Sequence, residues 1–269
     1  MINTHEGKLI PGCDLYYRLL RLDETNKQAI ILIHAIFEKL IDIPYRCQEI
    51  SVAMEKLNWW QSEIDIWYED QPRHPLTQQL NQLAQAKHLP KQLWTGIIDG
   101  ILLQLNQLHI AKFNDLVLFT HHRHSLCEML CCYSLTKQPD KSLLSLARDC
   151  GSIIGLISLL QDFSLHLHKG LVIIPQTLTD KYKIPLNSPK EVLQHLELSQ
   201  ALKDFITTIK NYIIDVMQKH QQKKTAITGY FFIGMNIANS LLKKINKQQK
   251  FILNKRIVIS PLRKYFNSF

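Results

Sequence analysis

Apolar residues return every three or four positions along most of the chain, with charged and amide side chains between them. Helices that bury one face produce this spacing. It predicts helices over Gln28–Ile43, Ser51–Tyr68, Leu76–Ala86, Pro90–Gln107, Phe113–Thr136, Asp140–Leu165, Lys190–Gln221 and Lys223–Lys244. Long stretches poor in glycine and rich in Leu, Gln, Lys and Ile favour these helices over short strands joined by tight turns. Lys169–Pro189 is different. Gly170, Pro175, Pro185 and Pro189 predict one long irregular segment there, and such segments often carry function. No repeat, low-complexity tract or composition shift marks a boundary, so residues 1–269 read as a single all-α domain. A bundle of about eight to ten helices is the natural architecture.

Charge narrows the partners. The net charge of +9 calls for an anion: a diphosphate, an acidic membrane surface or nucleic acid. No nucleic-acid motif is present, so nucleic acid is not expected. Lys243, Lys244, Lys247, Lys250, Lys255, Arg256, Arg263 and Lys264 crowd the C-terminal region. Such a crowd is ordinarily a solvated face, and its sharper reading is contact with lipid headgroups. The first residues lack a basic stretch followed by an apolar core. No run approaches the roughly 18 uncharged apolar residues of a spanning helix. The six cysteines are expected as reduced thiols. Together these features predict a cytoplasmic protein, with peripheral attachment to the inner face of a membrane as the variant.

Two segments carry a family resemblance. In residues 35–76 an acidic helix is followed by an aromatic pair, an acidic helix face and a His-Pro turn: Trp59, Trp60, Glu63, His74 and Pro75. Residues 147–175, ARDCGSIIGLISLLQDFSLHLHKGLVIIP, supply Gly151, Gly155, Gln161, Asp162, Gly170 and Pro175 in a second signature. The pattern resembles the squalene/phytoene synthase family over roughly residues 15–265. The resemblance implies an isoprenoid-synthase fold around a central apolar cavity. Active members join two prenyl diphosphates head to head through a cyclopropyl intermediate. The resemblance also implies magnesium, held by facing D-x-x-x-D helices, to neutralise the diphosphate as it leaves. Carboxylates at i and i+4 share one helix face, and an apolar or aromatic wall shelters the carbocation.

Carried onto this chain, the resemblance makes Glu38, Asp42 and Asp162 the magnesium ligands and adds His166 to the catalytic set. Gln161, Lys169, Trp60, His121 and His122 would then surround the substrate. The chain departs from the pattern in several places. The first motif is E-x-x-x-D, and the second has become D-x-x-x-H, ending on His166. Imidazole is a poor magnesium ligand and a good one for zinc or iron. Gln61 stands where many members carry arginine, and Lys169 offers a point charge in place of an arginine fork. The family also includes a mitochondrial assembly factor for respiratory complex I with degenerate motifs. A catalytically silent relative that binds a protein or lipid partner is therefore the alternative to a magnesium-dependent prenyl transferase.

One further cluster is conspicuous: His121, His122, His124, Cys127, Cys131 and Cys132 within twelve residues. Four ligands on one helix cannot surround a tetrahedral ion, so a zinc site would need a donor from elsewhere, with His166 and His168 as candidates. Small buried thiols are the plainer expectation. The three readings predict different interiors. A synthase needs a deep apolar tunnel with Glu38 and Asp162 facing across its mouth. A silent relative would have the tunnel filled by side chains, with those carboxylates pointing apart or paired to lysines. A metal protein would bring His166 onto the 121–131 helix.

Overall fold

Asp23, Asp140, Ser188, Thr225 and Ser260 each accept the backbone N–H three residues ahead with a side-chain oxygen. These caps satisfy donors that helix ends leave free, and they set where five helices begin. The computed structural model describes residues 3–106, 108–220, 225–248 and 256–267.

An antiparallel hairpin opens the fold, β1 (Thr4–His5) and β2 (Lys8–Leu9), turning through Glu6 and Gly7 at positive φ. The helices that follow are α1 (Asp14–Leu19), α2 (Glu24–Ile41), α3 (Ile43–Arg46), α4 (Ile50–Trp67) and α5 (Pro75–Asn81). Next come α6 (Lys91–Leu105), α7 (Phe113–Thr120), α8 (Leu126–Leu135), α9 (Lys141–Gln161) and α10 (Phe163–His168). The chain continues through α11 (Gln176–Lys181), α12 (Pro189–Gln194), α13 (Leu198–Lys219), α14 (Ala226–Lys247) and α15 (Pro261–Phe266). A 3-10 turn spans Ala84–His88, and a π-helical turn at His121–Ser125 joins α7 to α8.

The all-α reading holds, and the sequence periodicity located the long helices. Several expected segments differ: the helix expected over Asp140–Leu165 breaks at Asp162, and the one over Leu76–Ala86 ends at Asn81. The helix expected over Phe113–Thr136 carries the π turn. The helix expected over Lys190–Gln221 breaks before Leu198. The irregular segment 169–189 contains α11. The β hairpin, α1 and α15 were not anticipated, being too short to show a periodicity.

α9 is the central post, packed against α8, α14 and the π turn. Its length and mean hydropathy of 1.6 match a membrane span, yet two thirds of that window (67%) is buried inside the fold. Arg148 and Asp149 interrupt it. Two glycines let the π turn lie directly on α9. A Cβ at Gly151 would stand 2.4 Å from the Ser125 Cα, and one at Gly155 would stand 2.9 Å from the His124 Nδ1. The Ser125 hydroxyl then reaches the Arg148 carbonyl at 2.7 Å and the Ser152 hydroxyl at 2.9 Å. The second sequence signature is thus a packing seat for the π turn as well as the route to Asp162.

Candidate active site

The C-terminal turn of α2, the junction of α9 and α10, and the π turn meet at one end of the bundle. They bring Glu38, Asp42, Asp162 and His166 around a single cavity of about 210 Å³, together with Tyr45, Arg123, His124 and Arg256. The four residues chosen for catalysis therefore do converge, although they come from chain positions far apart.

Each carboxylate already has protein partners. Glu38 is buried and accepts four hydrogen bonds from the N-terminal hairpin. Its donors are the Asn3 and Thr4 backbone N–H groups, at 2.6 and 3.1 Å, the Asn3 amide at 3.1 Å and the Thr4 hydroxyl at 2.7 Å. Both oxygens are engaged. Asp42 pairs with Arg46 one turn later, at the i,i+4 spacing. Asp162 faces the Arg256 guanidinium at 3.3 Å. Magnesium needs oxygen ligands that are free to complete a near-octahedral shell of carboxylates, phosphates and waters. A carboxylate that accepts four N–H and O–H donors does not fit that demand, and the other two face guanidinium groups that a metal would have to displace.

His166 stands at the end of a polar chain. Arg123 donates to the Gln104 carbonyl at 2.9 Å, the Gln104 amide donates to the Tyr45 oxygen at 3.0 Å, and Tyr45 lies 2.9 Å from His166 Nδ1. Because Gln104 donates to its oxygen, the Tyr45 hydroxyl proton is free to be donated to Nδ1. Burial, aided by the nearby Arg123 charge, lowers the His166 pKa to about 3. The ring is neutral at ordinary pH, unable to serve as a cation for a diphosphate. Burial and the Arg123 charge likewise press His124 well below the usual histidine range.

The other predicted substrate contacts scatter. Gln161 is buried beneath the cavity and donates to the Ile257 carbonyl at 2.5 Å. Lys169 opens onto a separate cleft with Gly170 and Gln176. Trp60 packs on His74, ring centroids 4.8 Å apart, and lines a groove on the outer side of Glu38. His121 and His122 meet edge to face, ring centroids 5.7 Å apart, and the His122 backbone presses on Gly100. Neither lines the cavity; Arg123 and His124 take that place. All four residues belong to the π turn, whose spacing departs from that of a regular α-helix.

The interior beyond this cavity is mostly apolar, lined by residues such as Phe37, Ile157 and Leu241, but a buried ion pair intrudes on it. Arg18 and Glu128 form a bidentate ion pair at 2.8 and 2.5 Å, both side chains buried. Arg18 also lies over the Tyr230 ring at 4.0 Å, and His34 bonds the Tyr230 hydroxyl at 3.1 Å. The cavity between them has about 50 Å³ of free space, enough for a few waters. Small-molecule pockets run to roughly 300–1,000 Å³. Arg18, His34 and Glu128 escaped the sequence reading. Their signal was there: each is a charged or titratable residue inside an apolar stretch, in DLYYRLL, IILIHAIF and LCEMLCC.

Glu63, from the first signature, has a structural role. It is fully buried and accepts the Arg73 and His74 backbone N–H groups, both at 2.9 Å, and the Thr77 hydroxyl at 2.5 Å. Against the cost of burial, these bonds hold its pKa below the usual glutamate value. Glu63 thereby fixes the His74-Pro75 entry to α5.

Comparison with known proteins agrees with this architecture. The squalene/phytoene synthase family profile matches residues 12–263. A dehydrosqualene synthase crystal structure superposes with a TM-score of 0.79 at 13% identity, covering 95% of this chain and 89% of that one. A squalene synthase from Alicyclobacillus acidocaldarius gives a TM-score of 0.72 at 11% identity, covering 86% and 87%. A Dictyostelium discoideum protein described as an NADH dehydrogenase (ubiquinone) complex I assembly factor 6 homolog is 23% identical over 231 residues. The match takes in 85% of this chain and 65% of that protein's length.

Proposed function

This chain belongs to the squalene/phytoene synthase family, and from that premise we propose that it is a binding module of the family and not a head-to-head prenyl transferase. The engagement of Glu38 carries the proposal: both of its oxygens are occupied by Asn3 and Thr4. The pairing of Asp42 with Arg46 and of Asp162 with Arg256 supports it further. So does the ion pair of Arg18 and Glu128, which puts charge into the region where a carbocation would need an apolar shelter. On this reading the partner is a protein, in the manner of the relative described as a complex I assembly factor 6 homolog.

A lipid surface is the second contact we propose, at the C-terminal end. Lys243, Lys244, Lys247 and Arg263 border one groove, and α15 leaves Leu262 and Phe266 about two thirds exposed, at 66% and 68%. Basic side chains beside exposed apolar ones suit an anionic headgroup layer. Lys250 and Lys255 lie outside the described residues. Attachment at the inner face of a membrane is the location this implies. Vesicles containing anionic lipid should co-sediment the protein, and Leu262→Ser with Phe266→Ser should weaken that binding. Unchanged binding in the double variant would remove α15 from the contact.

Magnesium-dependent prenyl transfer remains the rival reading, and one observation favours it: Glu38, Asp42, Asp162 and His166 share a cavity. Incubation with farnesyl or geranylgeranyl diphosphate and magnesium separates the two. The proposal expects no head-to-head product. Turnover that stops on Asp162→Asn would overturn it.

A further inference from the structure

Two turns of α8 and the middle of α2 place three soft donors together in the core. His34, Cys127 and Cys131 are buried, and their ligand atoms all lie within 4.8 Å of one another. We propose that this trio is a zinc site, with the fourth position supplied by a water in the adjoining cavity.

The donor set suits the ion. Two thiolates and an imidazole are ordinary zinc ligands, and three protein ligands plus water is a common arrangement. Cys127 and Cys131 are one turn apart on α8, so they lie on the same face, and His34 approaches from a second helix. This is the donor from elsewhere that a single helix cannot provide, and it comes from α2 instead of from His166 or His168. Zinc–ligand distances of ~2.0–2.3 Å would put the donor atoms roughly 3.5–3.8 Å apart. The trio therefore closes on an ion by shifts of about 1 Å or less, within the reach of small side-chain rotations.

The surroundings suit it as well. The cavity of about 50 Å³ is lined by His34, Cys127 and Glu128, so a water-sized ligand has room beside the trio. Glu128 Oε1 is 3.9 Å from His34 Nε2 and stays paired with Arg18, so it borders the trio without ligating. Charge balances too. Zinc carries two positive charges, and binding releases one proton from each thiol, leaving a neutral zinc–dithiolate unit. The Arg18–Glu128 pair beside it is already neutral. The core therefore takes up the metal without acquiring a net charge, which a low-dielectric interior would otherwise resist.

The test begins with zinc content after refolding with and without one equivalent of zinc under reducing conditions. The wild-type chain should retain one zinc, and cobalt in its place should show thiolate charge-transfer absorption with tetrahedral visible bands. Cys127→Ser and Cys131→Ser should each weaken zinc binding by at least about 10-fold, the lower end of the loss on removing even an outer partner of a metal ligand. Cys132→Ser, adjacent but outside the trio, should leave it unchanged. X-ray absorption on the zinc-loaded wild type needs no variant, and should find two sulfurs and at least one nitrogen. No retained zinc, ligation by nitrogen and oxygen alone, or binding that survives both serine variants would overturn the assignment.

Discussion

Glu63 and Glu38 are two buried glutamates whose carboxylates hold backbone N–H groups, yet they do different things. Glu63 holds donors 10 to 14 residues ahead, in the turn that its own helix leads into. Its bonds close a local loop and set the entry of α5. Glu38 holds donors 34 and 35 residues behind it, from a hairpin outside both family signatures. Its bonds plug a cavity that would otherwise offer a carboxylate to a metal. The same chemistry serves as scaffold in one place and as closure in the other. A family motif can therefore keep its positions while its acidic side chains change employment.

The two glutamates should separate in stability, and the core ion pair gives an upper reference. Glu128→Ala strands Arg18 in the interior and should cost about 3–5 kcal/mol in urea unfolding. Combining Arg18→Met with Glu128→Leu should recover most of that loss. Glu63→Ala leaves the Arg73 and His74 N–H groups without their acceptor, while the Thr77 hydroxyl keeps the His74 carbonyl, and should cost about 2 kcal/mol. Glu38→Ala should cost only about 1 kcal/mol, because the freed hairpin can turn its donors to water. Amide exchange at Asn3 and Thr4 should rise in that variant while α5 stays protected. Equal losses at Glu63 and Glu38 would erase the distinction between scaffold and closure.

pH sharpens the picture on the cavity side. His166 has a folded pKa of about 3, against an unfolded value of about 6.5. Between those values the unfolded chain binds a proton that the folded chain refuses. Stability from this group is therefore whole above pH ~6.5 and declines as pH falls toward ~3, by about 1.4 kcal/mol per pH unit at most. His166→Gln keeps a partner for Tyr45 and cannot take the proton. Its stability should fall less steeply in acid than the wild type's, and parallel curves would contradict the burial of a neutral ring.

What could be read in advance follows the range of the interactions. Helical period is local, so α2, α4, α6, α9, α13 and α14 were visible in the residues. Glu38, Asp42, Asp162 and His166 were found by motif spacing, and the fold brings them together. Their partners were not visible. Arg46 was within reach of inspection, one turn from Asp42, but Asn3, Thr4 and Arg256 meet the site only through the tertiary fold. The π turn was also hidden, because period alone does not distinguish one extra residue in a long apolar run. Arg123 and His124 of that turn line the cavity, and His121 and His122 do not. His34 meets Cys127 and Cys131 only when α2 packs on α8.

The most direct test of the closed carboxylate site is titration of the purified chain with a non-hydrolysable farnesyl diphosphate analogue, with and without magnesium. No magnesium-dependent saturation is expected, since Glu38, Asp42 and Asp162 are held by the protein's own donors. Saturable binding that requires magnesium and disappears in Asp162→Asn would contradict this expectation, and would return this chain to the synthases.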